Sequence, residues 1–344
     1  MKVLVTGGAG YIGAVLVPML LGRGCSVRVV DNGMFGFEHV PSGAELINGD
    51  VCDFQKEWLD GVDAVIHLAG LSNEPMAEIR PDLNYLINCA ATTIVAEAAK
   101  AKGVKRFVFA SSCSTYGLAD EDMVDETFQP QPRFSYGISK LMAERGLQCL
   151  EDKDFRPIIL RKGTVIGWSP RMRFDLVLNT MIKSALTQGK ITVHNPSLWR
   201  PLLEVRDAAE AYVRALDADL SLTGVFNIAH SNYTIGRLAD EIASTLQEFN
   251  VPVTLDIQRR FDVRSYRVST RKAEELLDFH ARVSMKDAVR EIMRHIREGE
   301  IPEINDPRYV SVEWMKLLMQ KGELKVPAMF TGNGQHAAVR EAGR

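Results

Sequence analysis

Met1-Lys2-Val3-Leu4-Val5-Thr6-Gly7-Gly8-Ala9-Gly10-Tyr11-Ile12-Gly13 opens the chain. Its apolar run at 2–6 reads as a buried strand. Glycines at 7, 8, 10 and 13 follow at once, and 14–21 reads as a helix ended by Gly22 and Gly24. Glycine is needed where a turn is tight, where backbone must approach a pyrophosphate, and where a helix packs closely on a strand. The helix N-terminus then offers free N–H groups and a positive dipole end to phosphate. Ser26-Val27-Arg28-Val29-Val30-Asp31 reads as a second strand ending in an acid, 18 residues past Gly13. That is close to the spacing of a carboxylate that binds the adenosine ribose hydroxyls. Such a carboxylate also repels a ribose 2′-phosphate, and no arginine follows at Asn32 or Gly33. NAD rather than NADP is therefore the expected cofactor. Two registers of the triplet fit, Gly8-x-Gly10-x-x-Gly13 and Gly7-x-x-Gly10-x-x-Gly13.

Outward from this unit, strand candidates recur at 44–48, 64–68, 106–111 and 156–161, with helical stretches between them. That alternation implies parallel strands joined by right-handed crossovers. The fold class is α/β: a Rossmann-like doubly wound parallel sheet with a smaller C-terminal α/β substrate lobe. The first domain spans 1–167, with 203–230 returning to it. Residues 168–202 and 231–330 make the lobe, and 331–344 reads as a flexible tail. Gly7 leaves the carboxyl end of the first strand and Ser112 that of the fifth, so both are expected at one crevice.

Tyr136-Gly137-Ile138-Ser139-Lys140 lies 24 residues past Ser112. A lysine four residues after a tyrosine sits one helical turn along on the same face. Its charge stabilises a phenolate, and a serine hydroxyl can relay the proton of the same substrate oxygen. Of eight tyrosines only Tyr136 has a lysine at that spacing. A solvated helix face gives the same pair, so the trio gains its meaning from the glycine loop.

Thr6-Gly7-x-x-Gly10-x-x-Gly13 with Ser112, Tyr136 and Lys140 resembles the extended short-chain dehydrogenases/reductases. More narrowly it is similar to the NAD-dependent epimerase/dehydratase family that acts on nucleotide-diphosphate sugars. The resemblance selects the Gly7 register and covers roughly 1–300. Further matches are Asp50-Val51, Leu68-Ala69-Gly70, Asn88 with Thr92 on a following helix, Leu160-Arg161, Gly163-Thr164 and Trp199-Arg200-Pro201. It implies that Tyr11, Ile12, Asn32, Asp50, Val51, Leu68, Ala69, Gly70, Asn88 and Ser111 line the NAD site beside the glycines and Asp31. It implies substrate contacts from Ser72, Ser112, Cys113, Ser114 and Thr164. A pyrophosphate calls for guanidinium groups, and Arg200, after a short strand, and Arg264 are the candidates. Asn179 could hold a phosphate or a sugar hydroxyl, or could be helix surface.

The resemblance also implies the chemistry. Tyr136 takes the C4 hydroxyl proton as hydride passes to NAD, leaving a 4-keto sugar. Dehydratases carry an Asp-Glu pair after the serine, where this chain has Cys113-Ser114. Relatives with a catalytic cysteine place it two residues before a tyrosine, a slot filled by Ser114 ahead of Tyr116. Cys113 is one residue early, so its side chain is expected to point the other way and pack. The simplest chemistry left is 4-epimerisation. A 4-keto-reductase or 4,6-dehydratase is the rival within the family, and a non-catalytic NAD(H)-binding sensor is the rival from another class.

Net charge of −3 offers no basic field for nucleic acid or an anionic membrane, and the apolar stretches are far shorter than a membrane span. The chain starts directly on a strand, so no signal peptide is expected. Five scattered cysteines suit a reducing cytoplasm, and seven histidines show no metal-ligand spacing. The helices carrying Asn88 and Tyr136 have apolar positions to spare, at Leu86, Ile94, Leu141 and Met142 among others. In the resembling family these helices pair across a twofold axis, so a homodimer is expected.

Overall fold

The computed structural model describes residues 1–119, 123–259 and 265–327. β1 (Lys2–Thr6) runs through the core with Val3, Leu4 and Val5 wholly buried. α1 (Gly13–Gly22), β2 (Ser26–Asp31) and β3 (Glu45–Asn48) follow, and the return to β4 (Ala64–His67) uses only short 3-10 turns. One helix was expected to carry Asn88 and Thr92. The structure has instead α2 (Glu74–Ile79), α3 (Pro81–Tyr85), a π-helical turn over Leu86–Ala91 and α4 (Thr92–Ala101). Pro81 supplies no N–H and so starts a new helix rather than continuing the old one. The π turn adds a residue to the spiral, and Asn88 on it is fully buried.

β5 (Arg106–Ser112), α5 (Ser135–Leu150) and β6 (Arg156–Lys162) complete the run of crossovers. Then come β7 (Thr164–Ile166), α6 (Val177–Gln188), β8 (Lys190–His194), β9 (Trp199–Glu204), α7 (Val205–Asp217) and β10 (Gly224–Ile228). The main sheet has seven strands in the order β10-β6-β5-β4-β1-β2-β3, all paired in parallel. Alternate residues feed opposite faces. Val3, Val5 and Val29 pack under α1 and α7, while Leu4, Val65 and Phe107 pack under α4 and α5. Both faces are covered, which is why the strands read as unbroken apolar runs.

The remaining elements are β11 (Ser231–Thr234), α8 (Ile235–Gln247), β12 (Thr254–Gln258), α9 (Arg271–Leu277), α10 (Met285–Arg297) and α11 (Ser311–Lys321). α6, α8 and α10 enclose a separate core around Leu178, Ile182, Leu238, Ile242 and Ile292. Arg200 follows the short strand β8 and itself lies within β9, which is sandwiched between β7 and β11. α11 packs back on α2 and on the loop after β2, where Trp314 Nε1 donates to the Met34 carbonyl at 2.6 Å. Among the described residues no helix is long and apolar enough to cross a membrane.

Candidate active site

The order of the main sheet reverses between β1 and β4, and loops leaving the carboxyl ends of adjacent strands diverge there. A cavity of about 1080 Å³ opens at that point and runs on to β8 and β9. Its first wall is the glycine loop. Gly7 has φ +71°, and a Cβ there would stand 2.6 Å from the Ala69 backbone nitrogen. At Gly13 a Cβ would collide with the Gly8 backbone, so helix and loop can meet only over glycine. Gly7, Gly10, Tyr11, Ile12 and Gly13 line the cavity.

Asp31 ends β2 in the same wall. Its carboxylate accepts from Ala9 N at 3.1 Å and from Gly33 N at 2.9 Å. Burial pushes its pKa up, and these bonds oppose the shift. Asn32 donates to Asp50 at 3.0 Å, tying two cavity residues together beside Val51. Leu68, Ala69 and Gly70 follow β4 along the floor. This wall fits a dinucleotide: glycine backbone at a helix N-terminus for phosphate and an acid at the end of β2 for ribose.

Ser112, Tyr136 and Lys140 meet beyond it, on β5 and α5. Ser112 stands close enough to the Tyr136 phenol to act on its titration, and its Oγ donates to Ser114 Oγ at 3.1 Å. Lys140 Nζ sits 5.9 Å from the Tyr136 ring centroid and 4.9 Å from that of Phe109. Burial is the main influence on both groups. It lifts the phenol above its usual range, aided by the Glu74 carboxylate and opposed by Ser112 and Arg173. It pushes Lys140 down to about 7, aided by the Lys162 charge. Without ligand the phenol keeps its proton, and Lys140 is poised near neutrality.

Several expected residues stand elsewhere. Ser111 is fully buried, and its hydroxyl donates to Glu144, which also holds Arg161 at 2.6 Å. On a strand, the neighbour of cavity-facing Ser112 must face away. Cys113, implied as a substrate contact, is off the cavity wall and packed, as strand alternation requires, with Sγ 3.2 Å from the Arg161 carbonyl and burial pushing its thiol up to about 12. Asn179 is neither helix surface nor on the cavity wall. Its amide is spent on the backbone of Gly167 and Arg173. Asn88 lies beneath the floor and donates to the Leu71 carbonyl at 3.0 Å, and among the described residues its Oδ1 has no hydrogen-bond partner. Ser72, Ser114, Thr164 and Arg200 are on the wall, and Arg264 lies outside the described residues. Trp168 stacks on His295 at 3.9 Å. That histidine, Glu298 and Glu300 have ligand atoms within 4.8 Å of one another, but both glutamates are exposed and Glu291 and Arg294 also crowd the ring.

The sequence reading missed three cavity residues. Glu74 accepts from Tyr136 N at 3.0 Å and Gly137 N at 3.3 Å, so a carboxylate stabilises the positive end of α5. Arg173 pairs with Asp175 at 2.8 Å and donates to Ser72 Oγ at 3.1 Å. Arg171 stacks on Phe35 at 3.6 Å. The run Pro170-Arg171-Met172-Arg173-Phe174-Asp175 was the available signal, since two arginines among apolar residues are unusual in a solvated loop.

A parallel doubly wound sheet with a glycine loop and a serine–tyrosine–lysine set at one crevice defines a short-chain dehydrogenase/reductase-type NAD-binding protein. The chain belongs to the NAD dependent epimerase/dehydratase family, whose model matches residues 3–229. UDP-glucose 4-epimerase of Azospirillum brasilense is 31% identical over 291 residues, covering 76% of this chain and 82% of that one. The Corynebacterium glutamicum UDP-glucose 4-epimerase is 39% identical over 144 residues. That match takes in 41% of this chain and only 44% of the relative, so the chain spans less than half the length of some curated relatives it matches. The Bacillus cereus UDP-glucuronic acid 4-epimerase, solved with UDP-glucuronic acid and NAD, superposes with a TM-score of 0.78 at 25% identity, over 87% of this chain and 99% of that one.

Proposed function

We propose that the chain is an NAD-dependent nucleotide-sugar 4-epimerase. The observation that carries this reading is the convergence of Ser112, Tyr136 and Lys140 on one cavity with the glycine loop. When bound, NAD supplies the hydride acceptor and donor and a positively charged ring. The chain supplies the rest. Gly7, Gly10, Ile12 and Gly13 offer backbone to the cofactor phosphates, and Asp31 accepts from the adenosine ribose. Lys140 lies within reach of the other ribose. Tyr136 accepts the sugar hydroxyl proton, Ser112 hydrogen-bonds the same oxygen, and Lys140 favours the phenolate in its charged form. Ser72, Ser114 and Thr164 face the sugar, and Arg200 the nucleotide diphosphate. With Cys113 packed away, no further acid or base is supplied at the Ser112 turn, which favours epimerisation over dehydration.

The same reading divides the chain into an NAD domain, 1–167 with 203–230, and a sugar-nucleotide lobe of 168–202 and 231–330. It places the protein in the cytoplasm, in keeping with five free cysteines. It makes a homodimer through α4 and α5. Ile94 and Met142 stand 43% and 47% exposed there, while Val95 and Leu147 are taken up by the core. Light scattering that returned a monomer at micromolar concentration would reject the dimer.

The test of activity is incubation with UDP-glucose, UDP-glucuronic acid and other nucleotide sugars, without added reductant. An epimer of unchanged mass is expected by NMR and mass spectrometry. Net NADH consumption, or a product lighter by one water, overturns epimerisation in favour of a reductase or dehydratase. Cofactor binding with no turnover of any substrate favours a sensor.

A further inference from the structure

Among the described residues five arginines are buried: Arg28, Arg106, Arg161, Arg171 and Arg173. Four have partners. Arg28 meets Glu45 at 2.9 Å, Arg106 is fed by backbone carbonyls, Arg161 pairs with Glu144, and Arg173 with Asp175. Arg171 is 5% exposed, and no described residue accepts a hydrogen bond from it; its Nη2 is wholly enclosed. An unpaired buried charge is costly, and proteins keep one where a ligand supplies the counter-charge.

The position of Arg171 identifies that ligand. The segment bearing it is fastened to the glycine loop from both sides: Ser169 Oγ donates to the Tyr11 carbonyl at 2.7 Å, and Tyr11 OH donates to the Gly167 carbonyl at 2.7 Å. The guanidinium carbon sits 3.6 Å from the Phe35 ring centroid, and the group feels the charges of Arg173, Asp175 and Asp31. It therefore stands on the cavity wall beside the glycine loop, within reach of Tyr11 and of the ribose acid of β2. In a doubly wound fold the stretch of dinucleotide between its two riboses is the diphosphate.

We propose that Arg171 grips the diphosphate of the bound dinucleotide from the side opposite the glycine loop. This rests on the NAD reading above. The glycine loop offers backbone N–H groups from one side, and Arg171 offers a planar fork from the other. Arg200 serves the other diphosphate, at the β8–β9 end of the cavity, so the two anions of the reaction have separate guanidinium groups. The nearby Asp31 carboxylate disfavours a 2′-phosphate on Arg171.

Binding measured by calorimetry on cofactor-free protein tests this with three probes: ADP-ribose, adenosine and UDP. Wild-type protein that fails to bind ADP-ribose overturns the NAD reading itself. Given that binding, Arg171→Gln is expected to weaken ADP-ribose by roughly 10–100-fold, the range for losing charge-assisted hydrogen bonds, with adenosine and UDP unchanged. Unaltered ADP-ribose affinity, or a loss confined to UDP, overturns the assignment. Arg171→Lys keeps the charge without the fork and covers the case in which the glutamine variant does not fold. It is expected to lose ADP-ribose affinity several-fold and UDP affinity not at all; full retention for ADP-ribose overturns the proposal. A second readout is thermal: without ligand Arg171→Gln should melt no lower than wild type, because an unpaired buried charge has been removed. Its upward shift on adding ADP-ribose should be smaller than that of wild type.

Discussion

The two ends of the cavity are made differently. The glycine-loop end is built mainly of backbone, from tight turns, a helix N-terminus and strand ends, with Asp31 and Arg171 among its charged side chains and Asp31 held by two main-chain N–H groups. The β8–β9 end consists of side chains: His194, Leu198 and Arg200 from one hairpin-length stretch and Tyr266 from 66 residues further on. A backbone site is intolerant of any added atom but indifferent to most side-chain chemistry. A side-chain site is tolerant in shape and sensitive in chemistry. That contrast suits one cofactor held throughout turnover and one substrate that must enter, turn and leave.

Tyr136 sits where the two ends meet, and its removal should have the largest effect. Tyr136→Phe deletes one oxygen from a packed ring, so turnover is expected to fall by about 10²–10⁴-fold. NAD and UDP affinity should stay near wild type by calorimetry. A matching loss of NAD affinity would show that the phenol belongs to the cofactor end instead.

Gly13→Val attacks the backbone end. Its side chain would run into the Gly8 carbonyl at the root of α1. Cofactor affinity should drop by more than about 10-fold, with UDP binding retained if the lobe folds without the loop. Unchanged cofactor content after purification would break the contrast.

The pair Lys140 and Lys162 gives a pH test on unliganded protein. In the fold they are pushed down to about 7 and about 8 from 10.5, mainly by burial. At pH values between these and 10.5 the unfolded chain binds protons that the folded chain has released, so stability rises as pH rises. The rise from pH 7 to 9 should be on the order of 4 kcal/mol in chemical denaturation, and replacing both lysines by methionine should flatten it. A wild-type profile that stays flat across this window would mean that both ammonium groups remain charged in the cavity.

Arg200→Gln should have the smallest effect. It probes the side-chain end alone and is expected to weaken UDP by about 10-fold, with ADP-ribose unchanged. A loss on ADP-ribose would merge the two ends into one anion site.

The residues 1–31 determined the doubly wound half by themselves, because a glycine loop between two buried strands leaves the backbone few alternatives. Tyr136 and Lys140 were legible for a similar reason: helical spacing is local, and the structure has them on α5 as read. Local pattern could not say which neighbours face the crevice. Ser111 and Ser112 are adjacent, and strand alternation sends one to Glu144 and the other to Tyr136. Nor could it show that Asn179 would be spent on the backbone of Gly167, or that Glu74 would reach the first turn of α5, 62 residues on. Arg171 and Arg173 are two residues apart in one loop. Only the tertiary structure gave one an aspartate and left the other facing the cavity with no acceptor among the described residues, because burial and partnership depend on what the rest of the chain places around a side chain.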